Sequence, residues 1–235
     1  MIPRIIHYCW FGKNPLPKLA QKCIASWKKF FPDYEIKEWN EDNFDVNIIP
    51  YTQQAYEAKK YAFVSDYARF WILYHYGGVY FDTDVEVIKP MDDIIERGAF
   101  MGRERGTDGM VAPGLGLGVE AFHPLYKAMI DKYFSLSFSD REGNLNTKTV
   151  VYYMSELLSE HNLQRNNSLQ VIDGITIYPQ EYFCPMDSTS GLIDIKNETV
   201  SIHWYNCSWM NHNTPRFLLH LIKNRINRLF NKQCV

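Results

Sequence analysis

Two aspartates, Asp82 and Asp84, stand two residues apart in the segment VYFDTDVEV. Apolar and polar residues alternate around them, which predicts a β-strand over 79–88 that presents both carboxylates on one face. Side chains two apart on a strand lie about 6.5–7 Å apart, so the two carboxylates repel each other unless a cation lies between them. Oxygen ligands suit Mg²⁺ or Mn²⁺. The simpler alternative is an exposed edge strand whose charges oppose sheet-to-sheet association.

A helix is predicted over 61–76, directly before this strand, because Gly77 and Gly78 follow it as a strong stop signal. Asp66 and Arg69 lie three residues apart, so they share one face of that helix. They could bind a substrate together, or they could form a plain ion pair within the helix. The pattern leaves both interpretations open.

The rest of the chain must position these side chains. A first strand is predicted over 4–10 and ends at Trp10, where α/β sheets place their ligands, although a core tryptophan is the alternative there. His7 on this strand is expected to pack and hydrogen-bond internally. The other predicted elements are helices over 16–31, 52–59, 124–134 and 149–161, and strands over 34–39, 171–178 and 199–205. This order predicts an α/β domain with a mostly parallel central sheet flanked by helices.

Composition excludes several classes. The chain has 235 residues and a formal net charge of −2, which argues against a nucleic-acid-binding surface. Its five cysteines are odd in number and include no Cys-x-x-Cys, so we expect reduced thiols. No stretch approaches the roughly 18 apolar residues of a membrane span, and polar residues interrupt the N-terminal segment. A cytoplasmic location is the expectation.

Two segments, SDYAR and YHYGGVYFDTD, resemble the core signature of glycosyltransferase family 32. The same arrangement occurs in the glucosyltransferase domains of the large clostridial cytotoxins. The resemblance continues, in the expected order, through IPRIIHYCWFGKNPLP, WKKFFPDYEIKEWNEDNF, GLGLGVEAFHP and IHWYNCSW. It implies one nucleotide-sugar-binding domain of the GT-A type over residues 1–209.

The resemblance also implies how the donor would be held. Trp10 would stack on the nucleotide base, and Ser65 would lie near the nucleoside. Asp66 and Arg69 would hydrogen-bond hydroxyl groups of the donor sugar.

The remaining roles concern the metal and the diphosphate. We expect Asp84 to bind Mn²⁺ or Mg²⁺ directly, and by resemblance Asp82 would contact both the donor ribose and the metal. His203 would be a further metal ligand, and an imidazole favours Mn²⁺ over Mg²⁺. Ser208 and Trp209 would contact the diphosphate.

These residues imply an enzyme that moves a hexosyl unit from a UDP- or GDP-sugar to a saccharide acceptor. The resemblance implies retention of anomeric configuration, and a role in surface polysaccharide synthesis on lipid-linked acceptors. One alternative is a non-catalytic sugar-binding or scaffold protein. Another is a phosphatase of the haloacid dehalogenase type, whose Asp-x-Asp motif is similar but calls for Thr or Val where this chain has Glu86.

The C-terminal segment, 210–235, differs in character. Apolar residues recur at helical spacing over 216–232, and basic residues occupy the rest of the helical wheel. Such a helix could lie on an anionic membrane surface as a peripheral contact, or it could dock on its own domain.

Overall fold

The computed structural model describes residues 1–205. Four predictions therefore lie outside the described residues: the roles of Ser208 and Trp209, the boundary between 209 and 210, and the amphipathic helix over 216–232. They stay predictions.

Nine strands and seven helices form the described part of the chain. The strands are β1 Ile5–Cys9, β2 Glu35–Trp39, β3 Gly78–Tyr80, β4 Val85–Val87, β5 Phe100–Gly102, β6 Leu117–Val119, β7 Gln170–Ile172, β8 Ile175–Tyr178 and β9 Ser201–His203. The helices are α1 Lys18–Phe30, α2 Pro50–Glu57, α3 Tyr61–Tyr76, α4 Asp92–Glu96, α5 Pro124–Phe134, α6 Val150–Glu160 and α7 Gln180–Phe183.

Seven strands form the central sheet in the order β2-β1-β3-β6-β5-β8-β7. β1 runs parallel to β2 and β3, and β5 runs parallel to β8. β6 is antiparallel to both of its neighbours and β7 is antiparallel to β8, so five of the seven strands share one direction. Helices α2, α3, α5 and α6 contribute to one hydrophobic core, and α1, α4 and α7 contribute to a second. The predicted α/β fold class is confirmed.

The continuous strand predicted over 79–88 is wrong. The chain leaves the central sheet after β3, turns, and enters β4, which pairs with β9 in a separate two-stranded sheet. The turn is closed by the Val85 amide, which donates to the Asp82 carbonyl over 3.0 Å. β4 packs on α1 and not in the central sheet, because the Trp27 indole of α1 donates to the Val85 carbonyl over 2.8 Å. Asp82 and Asp84 therefore belong to a turn and not to one strand face.

Two further strand predictions need correction. The strand predicted over 199–205 is shorter, and it pairs with β4 and not with the central sheet. The strand predicted over 171–178 is a hairpin, because Asp173 and Gly174 both have positive φ angles, 46° and 81°. Asp-Gly is a common pair at such tight turns, so the sequence contained this signal.

Helix α3 has the predicted bounds, and Gly77 ends it with a φ of 62°. The imidazole of His7 connects this helix end to the sheet: Nε2 lies 3.0 Å from the Gly77 carbonyl, and the Trp39 indole donates to Nδ1 over 3.1 Å. Nε2 must then carry the proton and donate to the carbonyl. Internal hydrogen bonding of His7, as predicted, is confirmed, and this contact fixes α3 relative to β1 and β2.

Two properties of residues 1–205 bear on the chain's surroundings. None of their helices is both long and apolar enough to cross a bilayer. The cysteines of this part, Cys9, Cys23 and Cys184, are buried thiols.

Candidate active site

One cavity of about 850 Å³ opens at the edge of the sheet where β1 and β3 end. Every described residue that the sequence predicted for the site lines it: Trp10, Ser65, Asp66, Arg69, Asp82, Asp84 and His203. They come from the end of β1, the first half of α3, the turn between β3 and β4, and β9. The fold thus brings together residues that are nearly two hundred positions apart.

Asp82 is held on several sides. Its carboxylate accepts from the Tyr80 hydroxyl over 3.1 Å and from Arg69 Nη1 over 3.3 Å, and its amide donates to the Gly114 carbonyl over 3.2 Å. A Cβ on Gly114 would lie 2.0 Å from Asp82 Oδ2 and 3.4 Å from Arg69 Nη1. Gly114 is therefore a site residue that the sequence did not predict, although the motif GLGLGVEAFHP begins with it. Only a residue without a side chain leaves room for this carboxylate.

Arg69 lies at the centre of the site and is 3% exposed. Nη2 donates to Asp66 over 2.7 Å, Nη1 to Asp82, and Nε to the Ser65 carbonyl over 3.1 Å. Burial alone would lower the pKa of Arg69, but the carboxylates of Asp82 and Asp66 raise it, so the guanidinium stays charged. The intrahelical ion pair of the simpler interpretation does form, and Arg69 extends it to the aspartate turn. Of the five N–H groups of an arginine, two have no partner among residues 1–205 and remain for a ligand.

Asp66 connects α3 to α6. Besides its contact with Arg69, the carboxylate accepts the amide of Val150, the first residue of α6, where a negative charge is favourable. Burial raises the pKa of Asp66 to about 6, and Arg69 partly opposes this rise. Asp66 therefore positions other groups as well as lining the cavity.

Asp84 and His203 form a second polar contact across the cavity. His203 Nε2 lies 3.1 Å from Asp84 Oδ1, because β9 pairs with β4 in a register that sets His203 opposite Val85. Burial alone would lower the pKa of His203, but the carboxylate of Asp84, with those of Asp82 and Glu104, raises it overall. The other ring nitrogen, Nδ1, is buried and has no hydrogen-bond partner among residues 1–205.

The predicted metal set of Asp82, Asp84 and His203 is only partly brought together. Within residues 1–205 no three His, Cys, Asp or Glu side chains form a group that could hold a metal, since Asp82 is directed to Arg69 and Tyr80. Asp84 and His203 alone do fit a divalent cation. Their donor atoms, 3.1 Å apart, have the spacing of two neighbouring ligands on an ion with bonds of about 2.0–2.2 Å. One carboxylate and one imidazole suit Mn²⁺.

Trp10 and Ser65, the residues that the resemblance assigns to the nucleotide base and nucleoside, both line the cavity. The indole of Trp10 is half-buried, donates to the Asn14 carbonyl over 2.6 Å, and also lines a smaller neighbouring cavity of about 350 Å³. Ser65 Oγ donates to the Tyr61 carbonyl over 3.2 Å. Trp10 is therefore not a core residue, and its ring can contact a ligand.

Comparison with known proteins indicates a class of enzyme. Residues 17–101 match the family model described as "Glycosyltransferase sugar-binding region containing DXD motif". The DXD of that description corresponds to Asp82-Thr83-Asp84 here. The prediction that this chain is a glycosyltransferase is confirmed at the level of enzyme class.

The curated proteins that are similar to this chain include fungal and viral ones. Inositol phosphoceramide mannosyltransferase 1 of Schizosaccharomyces pombe is 31% identical over 111 residues, which are 43% of this chain and 33% of the relative. This chain thus matches about a third of the length of that fungal protein. An uncharacterized glycosyltransferase of Acanthamoeba polyphaga mimivirus is 25% identical over 200 residues, 80% of this chain and 79% of the viral one.

Solved structures share the fold. A glycosyltransferase involved in the glycosylation of the major capsid of PBCV-1 has a TM-score of 0.53 at 11% identity, over 96% of this chain and 100% of the other. PaToxG glycosyltransferase has a TM-score of 0.52 at 18% identity, over 68% of this chain and 69% of the other. At these identities the comparison supports the fold alone, and it agrees with the GT-A-type domain expected from the sequence.

Proposed function

We propose that this protein is a metal-dependent glycosyltransferase that moves a hexosyl unit from a UDP- or GDP-sugar to a lipid-linked saccharide acceptor. The observation that supports this is the convergence of the seven described candidate residues on one cavity. Its volume, about 850 Å³, lies within the range of small-molecule sites.

Mannose is the first sugar to test. Several relatives that match 43–61% of this chain are named as mannosyltransferases or mannosyl phosphorylinositol ceramide synthases. Their names describe a lipid acceptor, which supports the lipid-linked part of the proposal. We further propose a role in surface polysaccharide synthesis, in which residues 216–232 lie at the cytoplasmic face of a membrane.

Each described residue has a place in this proposal. Trp10 stacks on the base, and Ser65 lies near the nucleoside. Arg69 donates its remaining N–H groups to hydroxyls of the donor sugar, with Asp66 as an acceptor beside it.

Asp84 and His203 would hold Mn²⁺ or Mg²⁺, and Asp82 keeps Arg69 in place next to them. When bound, the cation supplies Lewis-acid stabilisation of negative charge on the leaving diphosphate. Ser208 and Trp209 are proposed as further diphosphate contacts.

We propose retention by internal return. The bond between the anomeric carbon and the phosphate oxygen breaks, the acceptor oxygen bonds to the same face, and the acceptor proton passes to the departing phosphate. This route needs no carboxylate nucleophile beside the anomeric carbon. A trapped glycosyl-enzyme detected by mass spectrometry would contradict it.

The decisive experiment is a thermal-shift panel of UDP- and GDP-sugars, including GDP-mannose, each with Mn²⁺ and with EDTA. A ligand that binds only the folded state raises the melting temperature by mass action. We expect one nucleotide class to raise it with Mn²⁺ and not with EDTA. Asp84→Asn should abolish this shift, and the exposed control Asp93→Asn should keep it.

Other outcomes would point elsewhere. A shift with phosphate esters and none with any nucleotide sugar would favour a phosphatase. A shift with bare glycans alone, or donor binding without any donor hydrolysis or transfer, would favour a sugar-binding scaffold.

A further inference from the structure

Glu104 lines the same cavity, and no motif of the sequence drew attention to it. It lies two residues after the end of β5, next to the fully buried Arg103. Its backbone is fixed on both sides, because its amide donates to the Met110 carbonyl over 2.8 Å and its carbonyl accepts from Thr107 Oγ1 over 3.0 Å. The side chain of Arg103 binds the carbonyls of Gly109 and Gln164 and so holds this loop in place. The backbone of Glu104 is therefore held in place on both sides.

The carboxylate of Glu104 is poorly satisfied where it lies. Its one side-chain hydrogen bond among residues 1–205 comes from the Tyr205 hydroxyl, at 3.3 Å. The His203 imidazole acts on it electrostatically but is paired with Asp84 instead. The neighbouring Arg105 contacts Pro185 and Asp194 instead. Burial raises the pKa of Glu104. A desolvated carboxylate with so few partners costs free energy unless a ligand supplies donors.

The strand order shows which part of a ligand Glu104 would meet. β1, β3 and β5 run in one direction, so Trp10, the aspartate turn and Glu104 all follow strand ends at the same edge of the sheet. β1 lies next to β3 on one side, and β5 lies two strands away on the other, about 10 Å from β3. With a base at Trp10 and a diphosphate at Asp84, the sugars extend toward Glu104. A carboxylate repels phosphate and accepts hydrogen bonds from hydroxyl groups.

We infer that Glu104 is a specificity-determining residue that accepts a hydrogen bond from a sugar hydroxyl, either on the donor sugar or on the acceptor. The inference rests on the proposed function, because it assumes a nucleotide sugar in this cavity. Donor and acceptor present the same chemistry to a carboxylate, so the experiment must distinguish them.

The test compares wild type, Glu104→Gln and the exposed control Glu96→Gln. Calorimetry with Mn²⁺ measures affinity for the nucleoside diphosphate, UDP or GDP, and for the matching nucleotide sugar. Two assays follow donor hydrolysis by water and transfer to methyl glycosides of glucose, galactose and mannose. Tyr205→Phe removes the hydroxyl that donates to Glu104. It should lower the same affinity or transfer rate that Glu104→Gln lowers, by a smaller factor, and so provides a second test if Glu104→Gln folds poorly.

Two results support the inference. If Glu104 binds the donor sugar, Glu104→Gln lowers nucleotide-sugar affinity about 10-fold or more and leaves diphosphate affinity unchanged. If it binds the acceptor, both affinities and hydrolysis are unchanged, while transfer falls about 10-fold or more.

Two results overturn it: wild-type behaviour of Glu104→Gln in every assay, or an equal loss of affinity for the bare diphosphate. Failure of the proposed function itself looks different, because wild type would then bind no nucleotide sugar at all, and the inference would fall with it.

Discussion

Asp82 and Gly114 are packed so closely that a single methyl group cannot fit between them. A Cβ at position 114 would lie 2.0 Å from Asp82 Oδ2, and the Gly114 carbonyl accepts the Asp82 amide. The backbone before β6 therefore forms one wall of the aspartate turn. The orientation of the Asp82 carboxylate toward Arg69 depends on this contact.

Gly114→Ala should displace the Asp82 carboxylate and weaken nucleotide-sugar binding by about 10-fold or more, with a loss of stability of about 1–3 kcal/mol from overpacking. Calorimetry and urea unfolding measure the two effects separately. Gly143→Ala is the control, because no atom lies within 4 Å of its added Cβ. Its left-handed φ of 85° predicts some lost stability and unchanged donor binding. Equal donor affinity in Gly114→Ala and wild type would show that this wall does not shape the site.

Arg69→Lys should reduce turnover about 100-fold, although the charge is kept. A lysine cannot donate simultaneously to Asp66, Asp82 and the Ser65 carbonyl in the planar arrangement of a guanidinium, and such losses cost about 3 kcal/mol. Steady-state donor hydrolysis is the measurement, with the exposed Arg141→Lys as the control. Near wild-type turnover in Arg69→Lys would mean that only the positive charge matters.

Trp10→Leu should weaken binding of the bare nucleoside diphosphate by about 5- to 150-fold, because an aromatic ring stacked on a base contributes about 1–3 kcal/mol. Trp10→Phe should retain most of the affinity, since a phenyl ring can still stack. Trp71→Phe changes a half-buried tryptophan that does not line the cavity and should leave affinity unchanged. Equal affinities for Trp10→Leu and Trp10→Phe would argue that the ring does not stack on the base.

Acid should destabilise the fold through His7. Burial lowers its pKa from 6.5 to about 4, opposed by the hydrogen bond to Gly77. Between these values the unfolded chain binds more protons than the folded one, so the stability is full above about pH 6.5 and falls toward pH 4 by about 3 kcal/mol. Protonation of Nδ1 would also break the bond from Trp39.

Urea unfolding from pH 7.5 to 4.5 tests this dependence. His7→Gln should be less stable than wild type at pH 7.5 and should lose less stability as the pH falls. His75→Gln, at an exposed position, should follow wild type. Parallel pH profiles of His7→Gln and wild type would contradict the assignment.

Local signals in the sequence were sufficient for several elements. α3 and α5 have the predicted bounds, because Gly77 stops the first and Pro124 opens the second. Both signals act through the φ angles of single residues, which need no knowledge of the rest of the chain. The candidate residues of α3 were therefore placed correctly on one helix face.

The alternation of apolar and polar residues over 79–88 wrongly predicted one continuous strand, for a physical reason. β3 is buried throughout and β4 alternates buried and half-buried residues, while the alternation of apolar and polar residue types runs on through the turn between them and so hides the change of sheet. Only the pairing of β4 with β9 and its packing on α1 show that the chain bends at Asp82. Nothing within the segment itself encodes those partners.

The sequence by itself determined the α/β class, the helix that carries Ser65, Asp66 and Arg69, and the identity of most candidate site residues. Tertiary structure alone decided that Gly114 and Glu104 belong to the cavity, that Arg69 bridges Asp66 and Asp82, and that Asp84 meets His203 while Asp82 does not. Propensities and stop signals act over a few neighbouring residues, whereas the site is made by contacts between segments far apart in the chain. Those contacts depend on strand order and register, which local periodicity does not specify.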